Sequence, residues 1–244
     1  MLTMPQISNI TQQFYSQFCG TDLRTLSSGV HFICTPARDE TLPGFGCKYA
    51  IYVLCREDAC VVAYAPQYAD LMHTLMGRDV QEILAALRAT FPMNEMQLMI
   101  LQQERVNDFG NARVLLPSDY PLYEAFFRKA YPAADPAGWL REYFTEKTSK
   151  GYFAGYVHQG SLVSVCDAPN MPYMADAIQH TGIMTLAEHR RRGYARATAA
   201  LAAHHLIAMD ICPQWECSSN NAASIALAES IGYEKYATAY ILEA

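Results

Sequence analysis

Hydrophobic and polar positions along the chain fall into short apolar runs of strand length, alternating with stretches where apolar residues recur at helical spacing. In the first half "YAIYVLC" and "ACVVAYA" flank Arg56-Glu57-Asp58 and read as two arms of a hairpin. A helix opens at Asp79, with Glu82 three residues on at the spacing of a capping box, and Val80, Ile83, Leu84 and Leu87 line one face of it. Near residue 107 the apolar "EMQLMILQ" gives way to "QERVNDFGNA", whose Asn107, Asp108, Gly110 and Asn111 are loop formers. A domain boundary is expected there, dividing residues 1–106 from residues 112–244.

Beyond it "ARVLL" reads as a strand, and Ser118 or Asp119 can cap a helix through "YPLYEAFFRKAY". Asp135, with Pro136 at the first helical position, starts another helix carrying Trp139, Leu140, Tyr143 and Phe144. "GYFAGYV" and "SLVSVCD", joined by His158-Gln159-Gly160, form a hairpin, and "AIQHTGIMTL" a further single strand. "YARATAALAAHHLIAM" is rich in the best helix former, and its alanines allow close packing on a sheet. "QWECS", preceded by Pro213, is the next strand. "NNAASIALAESIGY" is a short helix capped by Asn220 or Asn221 and stopped by Gly232, and "YEKYATAYIL" supplies one or two closing strands.

At 244 residues, half of them apolar, the chain can bury a sizeable core. Its formal charge is −6 and its basic residues are scattered apart from one cluster, which argues against a nucleic-acid surface. The first twenty residues lack the pattern of a secretory signal, and nowhere do eighteen apolar residues run together, so a soluble, cytoplasmic protein without a membrane partner is expected. The eight cysteines form no C-x-x-C pair and are expected to stay thiols, with no metal site. His31 and His73 stand alone and read as surface or core positions.

The one basic cluster changes this picture. In "TLAEHRRRGYARATAA" four of the eighteen Lys and Arg residues fall between Arg190 and Arg196. A strand, a tight turn containing Gly193 and a helix starting near Tyr194 leave backbone N–H groups unpaired at the positive end of the helix dipole. Gly193 has no Cβ to hold a phosphate away, and Arg190 to Arg192 bring full charges. Cations at a helix N-terminus oppose its dipole at ~0.3–1 kcal/mol each, and a bound polyanion such as a pyrophosphate removes that conflict. The segment is neither a Walker loop nor a Gly-x-Gly-x-x-Gly fingerprint.

Arg190-x-x-Gly193-x-Ala195 resembles the acyl-CoA loop of the GNAT superfamily of N-acyltransferases. "PQWECSSNNAASIALAESIGY", residues 213–233, resembles the second signature of the subgroup that includes zwittermicin-resistance-type acetyltransferases: Pro-x-Trp, Asn-x-x-Ser and Leu-Ala-x-x-x-Gly-Tyr. The resemblance implies an α/β (α+β) fold, in which a mixed, mainly antiparallel GNAT-like sheet is flanked by helices. Residues 112–244 would form the GNAT domain. Residues 1–106 would form an additional N-terminal α/β domain, either GNAT-like or serving dimerisation or partner docking, with a homodimer as one outcome. It further implies acetyl-CoA as cosubstrate. The main chain of Ile183, Met184 and Thr185 would pair with the pantetheine arm, and the backbone of Arg190, Arg191, Arg192, Gly193, Tyr194 and Ala195 would hold the pyrophosphate. Asn221 and Ser224 would face the pantetheine side, with helix capping an equal reading for Asn221.

The same resemblance puts Gln179 where many relatives have a Glu base, and Gln cannot take a proton. His180 beside it can, directly or through water, provided its side chain faces the acceptor; Glu188 is the alternative carboxylate, with a structural role suggested by its place in the loop. The position of the family's frequent Tyr acid is Ala228, although Tyr194, Tyr233 and Tyr236 lie nearby in sequence. A thiol of pKa near ~8.5 leaves tolerably without an acid. "DAPNMPYMAD", residues 167–176, is expected to shape the acceptor pocket, its Asp167 and Asp176 either holding an ammonium or capping turns. The expected activity is transfer of an acetyl group to an amine of a small molecule or protein within one ternary complex. The alternative, suggested by the absent Glu and Tyr, is a catalytically silent acyl-CoA-binding or sensor protein.

Overall fold

Helix α1 (Met4–Cys19) begins where Gln6 Oε1 accepts the Thr3 amide at 2.8 Å and ends at Gly20, whose φ of 63° only glycine adopts freely. The structure, a computed structural model, describes all 244 residues. Strands β1 (Gly29–Cys34), β2 (Tyr49–Cys55) and β3 (Ala59–Tyr64) follow, the last two forming the hairpin expected around Arg56-Glu57-Asp58. Helices α2 (Ala69–Leu75) and α3 (Val80–Thr90) come next, the latter capped by Asp79 Oδ1 on the Glu82 amide at 2.9 Å. Ile83, Leu84 and Leu87 are its buried face. Then come β4 (Asn94–Leu101) and β5 (Ala112–Val114), α4 (Tyr120–Ala130) and α5 (Leu140–Ser149), and the hairpin β6 (Ala154–His158) and β7 (Ser161–Asp167). The chain closes with β8 (Ile178–His180), β9 (Gly182–Thr185), α6 (Tyr194–Ala208), β10 (Cys212–Ser218), α7 (Ala222–Ile231) and a single β11 (Tyr233–Glu243).

The strands form two sheets, one ordered β1-β3-β2-β11-β4-β10-β8 and the other β5-β6-β7-β9. Only β1–β3 and β10–β8 are parallel pairs, so the fold is the expected mixed, mainly antiparallel sheet flanked by helices. The expected boundary near residue 107 falls inside this architecture. β2 and β4 precede it, yet they bond the two edges of the C-terminal strand β11. Residues on both sides of 107 also share one apolar core, from Leu2 and Phe14 to Trp215 and Ile241.

Four local expectations are corrected. "AIQHTGIMTL" is two strands: β8 bonds β10, the Thr181 amide still reaches Gln214 O at 3.2 Å, and from Gly182 onward the chain bonds β7 instead. A Cβ on Gly182 would lie 2.2 Å from Asp167 Oδ1, so at that hand-over the glycine leaves room for the Asp167 carboxyl in its present position. Cys55 and Cys60 oppose each other in the β2–β3 register with Cα atoms 4.2 Å apart and are bonded as a disulfide, while the other six cysteines are free. Asp119 does not cap α4 with its side chain; its carboxylate accepts the Leu116 amide at 2.8 Å and both ends of the Arg113 guanidinium at 2.6 Å. The helix expected from Pro136 begins at Leu140, because Asp135 Oδ1 takes the Ala137 amide into a turn at 3.0 Å.

Gly232 ends α7 at φ 114°, and its missing Cβ makes room for the backbone of the segment after β4: a Cβ there would stand 1.7 Å from Gln103 O. Gly160, at φ 77° in the β6–β7 turn, has nothing within 4 Å of the same position. Gly232→Ala is therefore expected to lower unfolding stability by about 3 kcal/mol or more in urea denaturation, and Gly160→Ala by only about 1 kcal/mol.

Candidate functional site

A gap opens where β8 and β9 part. β10 bonds β4 over Trp215–Ser218 and β8 over Cys212–Gln214, so beyond Gln214 its second edge has no partner strand. β9 bonds only β7. Two strand edges thus diverge with main-chain groups left for another extended chain. At the foot of the gap lie the N-termini of α6 and α7, which with β9 and the loop after it line a cleft of about 730 Å³.

Ten of the eleven residues expected to hold the ligand line this one cleft. Ile183, Met184 and Thr185 form one wall, and Arg190, Arg191, Gly193, Tyr194 and Ala195 the floor. Asn221 and Ser224 lie on the far side, whereas Arg192 is exposed and outside it. The structure adds His189, Arg196 and one face of α7: Ala223, Ala226, Leu227 and Ser230. That face had a readable signal, since those four positions repeat at intervals of three, four and seven, the helical period.

The floor carries the electrostatics. Arg191 (φ 59°) and Gly193 (φ 84°) put the loop twice into left-handed backbone, strain that a non-glycine residue such as Arg191 adopts rarely. No protein group accepts the amide N–H of residues 191 to 196, and nothing lies within 4 Å of a Cβ built on Gly193. These amides are left free at the positive end of α6, and all of their residues except Arg192 line the cleft. The arginines divide their tasks. Arg190 Nε donates to Thr185 O at 3.2 Å, tying the loop to β9, and Arg196 Nη2 donates to Ser230 O at 3.4 Å, tying α6 to α7. Arg191 makes no ion pair, and no acidic side chain lines the cleft. On the α7 side, Asn221 Oδ1 caps the helix on the Ser224 amide at 3.2 Å, and Ser224 Oγ accepts from Trp215 Nε1 at 3.2 Å. Capping and lining thus coincide in Asn221. Glu188 sits exposed on a short 3-10 turn and does not border the cleft.

Strand alternation puts a second set of groups on the other face. Trp215 points to α7, so Gln214 and Glu216 point to α1. His180 Nδ1 lies 2.6 Å from Gln214 Oε1, and Gln214 Nε2 donates to Tyr15 Oη at 2.7 Å and to Glu216 Oε2 at 2.9 Å. The Tyr15 hydroxyl is held well above its usual pKa, first by burial and then by the charge of Glu216. His180 is half-buried, one residue before the hand-over at Thr181. Gln179, by contrast, is committed to structure, donating from Nε2 to Pro169 O at 2.9 Å and to His180 O at 3.1 Å. Ala228 is fully buried. Tyr194 is tied to His158 Nδ1 at 3.2 Å and stacks on Tyr156, while the hydroxyls of Tyr233 and Tyr236 are buried without a partner. No group of three or more His, Cys, Asp or Glu side chains is arranged to hold a metal, and no helix is long and apolar enough to cross a membrane.

With this geometry in view, comparison with known proteins is decisive for the family. A family model described as GNAT acetyltransferase matches residues 57–242, more than half of the chain. The chain belongs to the GNAT acetyltransferase family. Acyl transfer is accordingly its general chemistry. Among solved structures, an acetyltransferase of the GNAT family from Colwellia psychrerythraea superposes over 100% of this chain and 97% of its own, with a TM-score of 0.57 at 11% identity. A GCN5-related N-acetyltransferase from Sphaerobacter thermophilus covers 68% of this chain and 56% of its own, with a TM-score of 0.52 at 16% identity. A GNAT-family protein from Novosphingobium aromaticivorans is 21% identical over 62% of this chain, with a TM-score of 0.46, and this chain spans 64% of its length. At these identities the likeness is one of fold. No curated protein matches the sequence.

In the GNAT chain Asp167 is the carboxyl whose pKa is raised, whereas Asp22, Asp39, Asp119 and Glu146 are lowered by their Arg or Lys partners. Burial raises the pKa of Asp167, with nearby His180 acting in the opposite direction. A carboxyl whose folded pKa exceeds its unfolded one favours folding most when both states are protonated, and that contribution is lost as pH rises from the unfolded toward the folded pKa. Asp167→Asn is therefore expected to raise the melting temperature at neutral pH, with the difference from wild type closing as pH falls below the ordinary carboxylate range. Thermal melts across pH measure this; an equal difference at all pH values would refute it.

Proposed function

We propose that this GNAT protein is an N-acetyltransferase that moves the acetyl group of acetyl-CoA to the amine of a small molecule or protein in a ternary complex. The observation that carries the reading is the run of unbonded amides at residues 191 to 196, five of whose six residues line the cleft beside β9. A pyrophosphate satisfies such donors and neutralises Arg191. The free edge of β9 at Ile183, Met184 and Thr185 suits the amides of a pantetheine arm, laid like an added strand, and the small residues of α7 leave room for it. The second signature, residues 213–233, aligns this protein with the subgroup of zwittermicin-resistance-type acetyltransferases, and a cytoplasmic location suits an acyl-CoA-dependent reaction.

In this reading a neutral amine attacks the thioester carbon, the C–S bond breaks, and the sulfur leaves with the electron pair as a thiolate. The nitrogen's proton passes to His180, the basic side chain at the apex of the split. Glu188, exposed and away from the cleft, has no part in that step.

Thermal-shift titration tests the ligand seat. Acetyl-CoA at about one hundred times its Kd is expected to stabilise the wild type by about 2.7 kcal/mol, whereas Gly193→Asp, which places a carboxylate among the free amides, shows no shift. Equal shifts in both proteins would overturn the assignment.

A further inference from the structure

The hydrogen bonds behind His180 have a direction that the chemistry of their ends determines. Glu216 is a carboxylate and accepts only, so the group 2.9 Å from its Oε2 must be the amide nitrogen of Gln214. The two hydrogens of that nitrogen are then accounted for, one on Glu216 and one on Tyr15 Oη at 2.7 Å. The amide oxygen must face His180, and an amide oxygen also accepts only. Nδ1 of His180 therefore carries the hydrogen, and Nε2, which has no partner in the protein, carries the lone pair. The bond is also insensitive to the proton it serves, because Nδ1 bears a hydrogen in both the neutral ring and the imidazolium.

Three elements converge to build this chain: β8 supplies His180, β10 supplies Gln214 and Glu216, and α1 supplies Tyr15 from the first twenty residues. Gln214 is buried at 3% exposure and Tyr15 at 0%, so water does not compete for the amide. The other charged group within reach of the imidazole is Asp167, on β7 across the hand-over, and it makes no hydrogen bond to the ring.

We infer that Gln214 is a positioning residue that locks His180 in the Nδ1–H tautomer with Nε2 free to take the proton of the attacking amine, and that Glu216 and Tyr15 set the orientation of the Gln214 amide. This rests on the acyl-transfer reading for the role of the proton, while the tautomer stands on hydrogen bonding alone. It gives the N-terminal helix a place in the reaction centre.

The tautomer can be read directly. In protein carrying ¹⁵N-labelled histidine, with His180→Ala to assign the signal, spectra are recorded at about pH 9, where an ordinary imidazole is neutral. The expected result is a protonated Nδ1 and a lone-pair Nε2, the latter resonating far downfield of the former. A hydrogen on Nε2 in the wild type overturns the inference whatever the activity. Gln214→Leu removes the acceptor at similar volume: Nε2–H is expected to become populated, and kcat to fall about 100-fold with the KM for acetyl-CoA unchanged. Should Gln214→Leu retain a pure Nδ1–H signal, or lose only KM, Gln214 is not the positioning residue; should it fail to fold, the wild-type spectrum still decides. Absence of coenzyme A binding alongside an intact Nδ1–H signal removes the acyl-transfer reading and leaves the tautomer lock in place.

Discussion

The molecule is organised around one interruption in β-sheet hydrogen bonding. Main-chain donors and acceptors must find partners in the protein or in whatever enters it. At Thr181 and Gly182 the chain changes partners, from β10 to β7, and the edges beyond that point separate without a strand between them. At Gly182 the missing Cβ leaves room for the Asp167 carboxyl beside the hand-over. The strand wall of the cleft, at Ile183 to Thr185, begins at that break.

The loop that floors the cleft is a second concentration of unmet bonding capacity. Arg191 and Gly193 adopt left-handed backbone, turning successive amides toward the same space, and the helix dipole adds to them. Such donors would be costly if sealed in the core, and here they border an open cleft. The arginine side chains contribute unevenly: Arg190 and Arg196 brace the loop and helix against carbonyls, and Arg191 remains free to meet an anion. Charge crowding in the sequence thus resolves into two braces, one unpaired cation lining the cleft in Arg191, and one exposed residue outside it in Arg192.

The two halves of the chain cooperate more closely than a boundary near residue 107 suggests. β4 lies between β11 and β10, and α1 packs on the face of the sheet that bears His180, Gln214 and Glu216. The cleft is lined by β9 of the smaller sheet and by α6 and α7, while this polar chain lies on the α1 side of the larger sheet.

The sequence alone determined whatever is encoded locally. The hairpins, the Asp79 and Asn221 caps, the glycine stops and the crowding at Arg190 to Arg196 depend on near neighbours, and the spacing of Arg190, Gly193 and Ala195 carried the family resemblance. Even the helical face formed by Ala223, Ala226, Leu227 and Ser230 was present in the spacing of residues. Tertiary structure alone decided which strand each edge bonds. "AIQHTGIMTL" has one uniform pattern, yet it serves two sheets, because strand pairing is set by residues thirty or more positions away at Gln214 and by the facing Asp167. The same holds for His180: its tautomer depends on Glu216 and Tyr15, which meet Gln214 only after β10 and α1 have packed together, and hydrogen-bond direction is a property of that assembled group.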